Sequence, residues 1–260
     1  MSVCSWCRAD TKLTNEHVFP DWLNNLVEAP GEPYRVKWEA DSVNSSAIRR
    51  TYPSARLGQT VATVCRPCNN GWMSDLEAGA LSVLKPLILY PDERSAISPA
   101  AQVAVAAWAT MKVAVAEGLG GLSVFTDDQR DALRLASAPP STGRVHVARY
   151  NNVQMSAKYL RYTGMAPAGH PLAGARATTA AYVVGPLAFL VLLSPDSTIN
   201  TGAGSGESRP AWASLWPPVT PAVGWPLLES VDDAGLERLL GEVAPGMILE
   251  REHLLPARED

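Results

Sequence analysis

All four cysteines of this 260-residue chain fall into two pairs with the same two-residue gap, Cys4-Ser5-Trp6-Cys7 and Cys65-Arg66-Pro67-Cys68. A turn of that length points both sulfurs the same way, so one pair grips an ion from one side and two pairs complete a tetrahedral four-thiolate site. Zinc is the default occupant. The competing readings are four unrelated buried cysteines or a redox Cys-x-x-Cys. A shared site would tie the beginning of the chain to Cys65, far downstream, and so constrain everything between them.

Between the knuckles stands Asn15-Glu16-His17-Val18-Phe19-Pro20, a carboxylate followed directly by a histidine three residues before a proline, and the last cysteine is followed by Asn69. Together with the two knuckles, this pattern resembles the HNH (ββα-metal) nuclease family over about the first 80 residues. The resemblance implies a structural zinc on Cys4, Cys7, Cys65 and Cys68. It further implies a catalytic divalent metal, Mg2+ or Mn2+, on Glu16 and Asn69, with His17 as general base. Three positions depart from the family pattern. Glu16 stands where aspartate is commoner, and Thr60 where the central asparagine would orient the histidine. Trp72 replaces the usual lysine, removing a phosphate contact and supplying a core anchor.

The chemistry asks for these residue types. Phosphodiester cleavage needs a nucleophilic water, charge relief at phosphorus and a stabilised leaving oxygen, and a hard cation on oxygen ligands serves the last two. Carboxylate and amide oxygens are suitable donors, and an imidazole with pKa near 6.5 is largely neutral at working pH and can take the proton of water. Strict strand alternation would send Glu16 and His17 to opposite faces, so the resemblance demands irregular backbone there.

The expected fold class is α+β: a zinc-stapled ββα-metal module over residues 1–95, then a helical segment and an antiparallel-sheet domain of unknown role over residues 96–260. In the first part, Asn15–Phe19 and Gln59–Val64 read as the two strands, Pro20–Leu23 opens a short helix, and Asn69 to about Leu84 is the long helix, with polar caps at its start. Tyr34–Glu39 alternates at the period of a half-buried strand and Ile48–Tyr52 returns beside it, a hairpin that looks inserted and suited to shaping substrate access. On a straight helix Asn69, Met73 and Glu77 share one face, but eight residues rise about 12 Å. Asn69 and Glu77 therefore cannot both touch one ion, and Glu77 is expected to tie the helix to an arginine or backbone group.

Lys85-Pro86 and Tyr90-Pro91 are expected to break the helix, with a boundary near Ser95. Beyond it, Pro99–Leu119 is an alanine-rich helix interrupted by Gln102 and Lys112, and Asp127–Ala136 a second with Thr126 as cap. Val145–Tyr150, Ser156–Thr163, Thr178–Val184 and Ala188–Leu193 read as closely spaced antiparallel strands, and Asp232–Glu242 as a last helix. Gly202–Gly206 is expected to be flexible; it lacks the Gly-Lys-Ser/Thr ending of a phosphate loop. His146, His170 and His253 read as satisfied or exposed rather than as ligands, and the tryptophans between Pro210 and Pro226 as packing.

An apolar fraction of 47% and a charged fraction of 18% suit a globular chain. With no amino-terminal leader pattern, the expectation is a soluble cytoplasmic protein without membrane partners, its thiols reduced and free for metal. The net charge of −4 argues against broad attraction to DNA, but Arg49, Arg50, Arg56 and Arg66 make the zinc module the basic end while Glu229–Asp260 is acidic. Nucleic acid, most readily DNA, is the expected partner, with those arginines on its backbone. The alternative is a catalytically silent zinc module that binds nucleic acid or protein.

Overall fold

The computed structural model describes residues 2–27, 33–40, 45–52, 57–120, 123, 125–151, 157–166, 168–169, 174, 176–194, 211–242 and 248–256. The expected flexible stretch Gly202–Gly206, His170 and Arg56 lie outside them.

Two short strands open the chain, β1 (Ser2–Val3) and β2 (Asp10–Thr11), paired across the first knuckle. Then come β3 (Leu13–His17), a 3-10 turn at Asp21–Asn25, the hairpin strands β4 (Tyr34–Ala40) and β5 (Ser45–Tyr52), and β6 (Thr60–Cys65). A helical turn α1 (Arg66–Cys68) leads through a π-helical turn at Asn69–Met73 into α2 (Ser74–Leu89). After β7 (Ser95–Ile97) follow α3 (Pro99–Ala116) and α4 (Asp127–Ala136). The strands β8 (Arg144–Tyr150), β9 (Ala157–Met165), β10 (Arg176–Val184), β11 (Leu187–Leu193), β12 (Trp212–Trp216), β13 (Val223–Trp225) and β14 (Ser230–Val231) precede α5 (Asp233–Glu242) and β15 (Ile248–Pro256).

The fold is α+β. Its large sheet runs β12-β8-β11-β10-β9-β15-β4-β5, antiparallel throughout, with the short β14 added parallel to β8. Period-two alternation gives the sheet two apolar faces. Ala180, Tyr182 and Val184 of β10 face α3, whereas Ala181 and Val183 face the opposite side with Leu236, Leu239 and Leu240 of α5. Trp108 of α3 stands edge-on to Tyr182 and Phe189, with ring centroids 5.6 Å away in each case. By length and composition the helical stretch Pro99–Leu119 is apolar enough to cross a membrane, but most of it is buried as the central helix of this core.

Residue 95 does not divide the core. Strand β4 pairs with β15 over Tyr34–Ala40 and Glu250–Pro256, so the hairpin read as an insertion is the edge of the large sheet. Buried side chains from Cys4 to Leu254 form one continuous cluster.

Three local expectations need correction. The long helix begins at Arg66, and Cys65 caps it in extended geometry with no side-chain bond, so the polar residues from Asn69 do not cap it. The axis also kinks at Gly71, whose φ of −101° and ψ of −118° are not helical. Lastly, Pro86 does not end the helix, which continues to Leu89. An internal proline costs about 3 kcal/mol through its missing N–H and its ring clash. Burial of Leu87 and Ile88 in the turn that follows offsets a loss of this size.

Candidate metal centre and acidic cleft

The first knuckle closes because Arg8 adopts the left-handed conformation, φ 62°, and its N–H donates to the Cys4 carbonyl at 3.0 Å. Ser5 fastens this knuckle to β6, both its N–H and its Oγ donating to the Thr63 carbonyl at 2.9 Å. The second knuckle leaves the end of β6 directly into α1. As a result the four sulfurs converge, every pair within 4.8 Å and Cys7 Sγ 3.5 Å from Cys65 Sγ. Tetrahedral thiolates around zinc at about 2.3 Å stand about 3.8 Å apart, so the cluster could hold a metal ion such as zinc. The four cysteines are free thiols rather than disulfides, and they are not scattered through the core.

The thiols are not equivalent. Burial resists ionisation of Cys4, yet amide N–H groups of Cys7, Trp6 and Cys65 directed at its sulfur bring it down to about 7. Burial instead pushes Cys65 and Cys68 up. Aromatic packing seals the centre: Trp72 stands edge-on to Trp6 at 4.9 Å, and the Arg130 guanidinium lies 5.3 Å over Trp6. Trp72 is thus the core anchor expected of it. Arg8 pairs with Asp131 and docks the knuckle on α4.

Beside this centre, where the β3–β6 hairpin meets the helix, Glu16, Asn69, Asn70, Met73, Ser74 and Glu77 line a cleft of about 160 Å3. Glu16 and Asn69 are therefore brought together in one cleft. The Asn69 amide nitrogen donates to Thr14 Oγ1 at 3.1 Å and to the Asn15 carbonyl at 3.3 Å. A carbonyl can only accept, which fixes the amide and turns Oδ1 away from β3. The pairing of β3 with β6 is irregular between Thr14 and Glu16, Thr14 facing Val64 but Glu16 facing Val61, whereas at Glu16–His17, where irregular backbone was expected, the register is regular.

His17 is not among the residues lining that cleft. It lies half-buried at the end of β3 directly opposite Thr60, the position of the absent orienting asparagine. Among the described residues, neither side chain hydrogen-bonds the other.

Sequence reasoning missed Lys112. Its ammonium, fully buried at the middle of α3, donates to Glu16 Oε1 at 2.8 Å and to the His17 carbonyl at 3.1 Å, and lies 3.1 Å from Glu77 Oε1. Glu77 thus ties its helix to a lysine, where an arginine or backbone group was expected. The available signal was a single charge inside an otherwise apolar helix, because a lysine so placed must find anionic partners.

Of the arginines read as a basic end, Arg49 and Arg50 fall in β5 and Arg66 is exposed at the start of α1. The half-buried Trp216 and the buried Trp225 pack as expected: Trp216 Nε1 donates to the Pro140 carbonyl at 3.1 Å and Trp225 Nε1 to that of Pro91 at 3.0 Å. His253 stacks on Tyr162. His146 is neither satisfied nor exposed, since its Nε2 is buried without a hydrogen bond among the described residues. Compared with known proteins, the chain matches no family model, no curated protein and no solved structure.

Proposed function

We propose that this chain is a metal-dependent nuclease of the HNH type that hydrolyses phosphodiester bonds in DNA. The observation that carries the reading is the meeting of Glu16 and Asn69 in one cleft beside the four-thiol centre. A hairpin followed at once by a helix supplies the ββα order, and the thiols staple its two ends.

The donor set fits a hard divalent ion. Glu16 keeps Oε2 free of hydrogen bonds among the described residues, and Asn69 turns Oδ1 away from β3; both are the oxygen ligands that Mg2+ or Mn2+ prefers. A bound ion would supply charge relief at phosphorus and at the leaving oxygen. His17, unpartnered through its ring among the described residues and outside the cleft lining, is the base this reading assigns to the attacking water. Thr60 is the residue able to orient it, through a hydroxyl or backbone carbonyl, and exposed Arg66 is available to a backbone phosphate.

The test is nicking of supercoiled plasmid by zinc-loaded protein with Mg2+ or Mn2+. His17→Ala is expected to lower the rate about 10²- to 10⁴-fold while zinc content and folding persist. Full activity in His17→Ala would remove the histidine from the mechanism.

The grip of Lys112 on Glu16 favours a second reading, a silent zinc module that binds nucleic acid or protein. An ammonium already neutralises the carboxylate that a metal needs. Failure of the wild-type protein to nick DNA or RNA with any divalent ion would select it.

A further inference from the structure

Lys112 reaches two carboxylates of the cleft from α3, outside the hairpin and helix that carry the other candidate site residues. Its ammonium has three N–H donors and meets three oxygens, Glu16 Oε1, the His17 carbonyl and Glu77 Oε1, all within 3.1 Å. Two of those partners, Glu16 and Glu77, also line the cleft with Asn69. Both carboxylates are thus shared between the Lys112 ammonium and whatever the cleft receives. With both ionised, the cluster carries two negative charges against one positive, leaving one to face the cleft.

We propose that Lys112 is a built-in cation that sets the divalent-metal affinity of this cleft, holding it weak until a substrate phosphate adds its own anionic oxygens. The inference rests on the metal-site reading above and deepens it. Lys112 is a positioning residue: it fixes one oxygen of Glu16 and leaves the other to the ion. It also anchors the carbonyl of His17, so the backbone that carries the base and the carboxylate that holds the metal are set by the same ammonium. Glu77 acts from the side, keeping the residual charge of the cluster negative.

The charge count gives an ordered expectation for the metal alone. Lys112→Met removes the internal cation at similar length, and the cluster changes from one net negative charge to two. Glu77→Gln keeps a polar side chain of the same shape beside Lys112 and takes the cluster to zero. A unit charge a few ångströms from a divalent ion changes affinity by roughly tenfold even at the dielectric of water.

The experiment is Mn2+ titration of the zinc-loaded full-length chain without nucleic acid, following the free-ion electron paramagnetic resonance signal. Roughly tenfold tighter binding in Lys112→Met and roughly tenfold weaker binding in Glu77→Gln are expected. Binding seen only in Lys112→Met also supports the proposal. Unchanged or weakened affinity in Lys112→Met overturns it, as does failure of all three proteins to bind at millimolar Mn2+. Should Lys112→Met not fold, Glu77→Gln decides, and unchanged affinity there overturns the proposal. Because the readout is binding, the two readings separate. The expected order in a protein that cuts nothing retains the role of Lys112 and removes the nuclease, whereas cutting without that order does the reverse.

Discussion

A half-buried histidine, His146, whose Nε2 has no hydrogen-bond partner among the described residues makes stability depend on acid. Burial, aided by Arg144, lowers His146 from its ordinary 6.5 to about 4, so the folded protein holds it neutral where the unfolded chain would protonate it. Between those values the unfolded state binds more protons, and stability falls as pH drops from about 6.5 toward 4; above 6.5 this contribution is fully present. A shift of this size corresponds to about 3 kcal/mol across the window. Urea unfolding at stepped pH should show that loss in the wild type and a flatter profile in His146→Leu; equal slopes would discount the group. Such a feature is hidden from sequence, since β8 was legible as a strand but the shielding of one of its outer positions depends on neighbouring strands. The cysteine pairs are the opposite case, for their spacing alone was enough to bring four sulfurs together.

Elements with a strong period or a local cap were the readable ones. Helix α4 has its capping box, Thr126 Oγ1 accepting from the Gln129 N–H and Gln129 Oε1 from the Thr126 N–H, and strands β8 to β11 lie within a residue or two of expectation. Strands β7 and β13 escaped notice because three residues hold no period. The segment Ile248–Pro256, with Glu-Arg-Glu-His in its middle, becomes strand β15 only through partners far away in the chain. Close approach between elements was equally unreadable. At Gly118, just past α3, an added Cβ would stand 2.7 Å from Thr63 Cγ2 and 2.9 Å from Val61 Cβ. The glycine lets the end of the lysine-bearing helix lie directly on β6, the strand that leads into the second cysteine pair. Gly118→Ala should therefore destabilise by about 1–3 kcal/mol, the usual range for overpacking. Thermal unfolding measures it, and an unchanged midpoint would mean that the two elements part at no cost.

Across the whole molecule, the sheet and the cleft both join distant parts of the chain. The carboxylate of the cleft comes from residue 16 and its cationic partner from residue 112, so the candidate site needs the body as well as the four-cysteine module. In the same way β15 is the strand that connects the β4–β5 hairpin to the rest of the large sheet, lying between β9 and β4. A chain stopped after residue 247 leaves both neighbours with bare edges, which are templates for aggregation. It is expected in the insoluble fraction where the full chain is soluble, as centrifugation of lysates would show; comparable solubility would mean that β9 and β4 do not depend on it. The position of β15 also imposes a wait during biosynthesis. The hairpin leaves the ribosome roughly two hundred residues before the strand that must receive it, about 10–40 s at 5–20 residues per second. For that interval the β4 edge of the hairpin is open to chaperones, and to the same hairpin on neighbouring nascent chains.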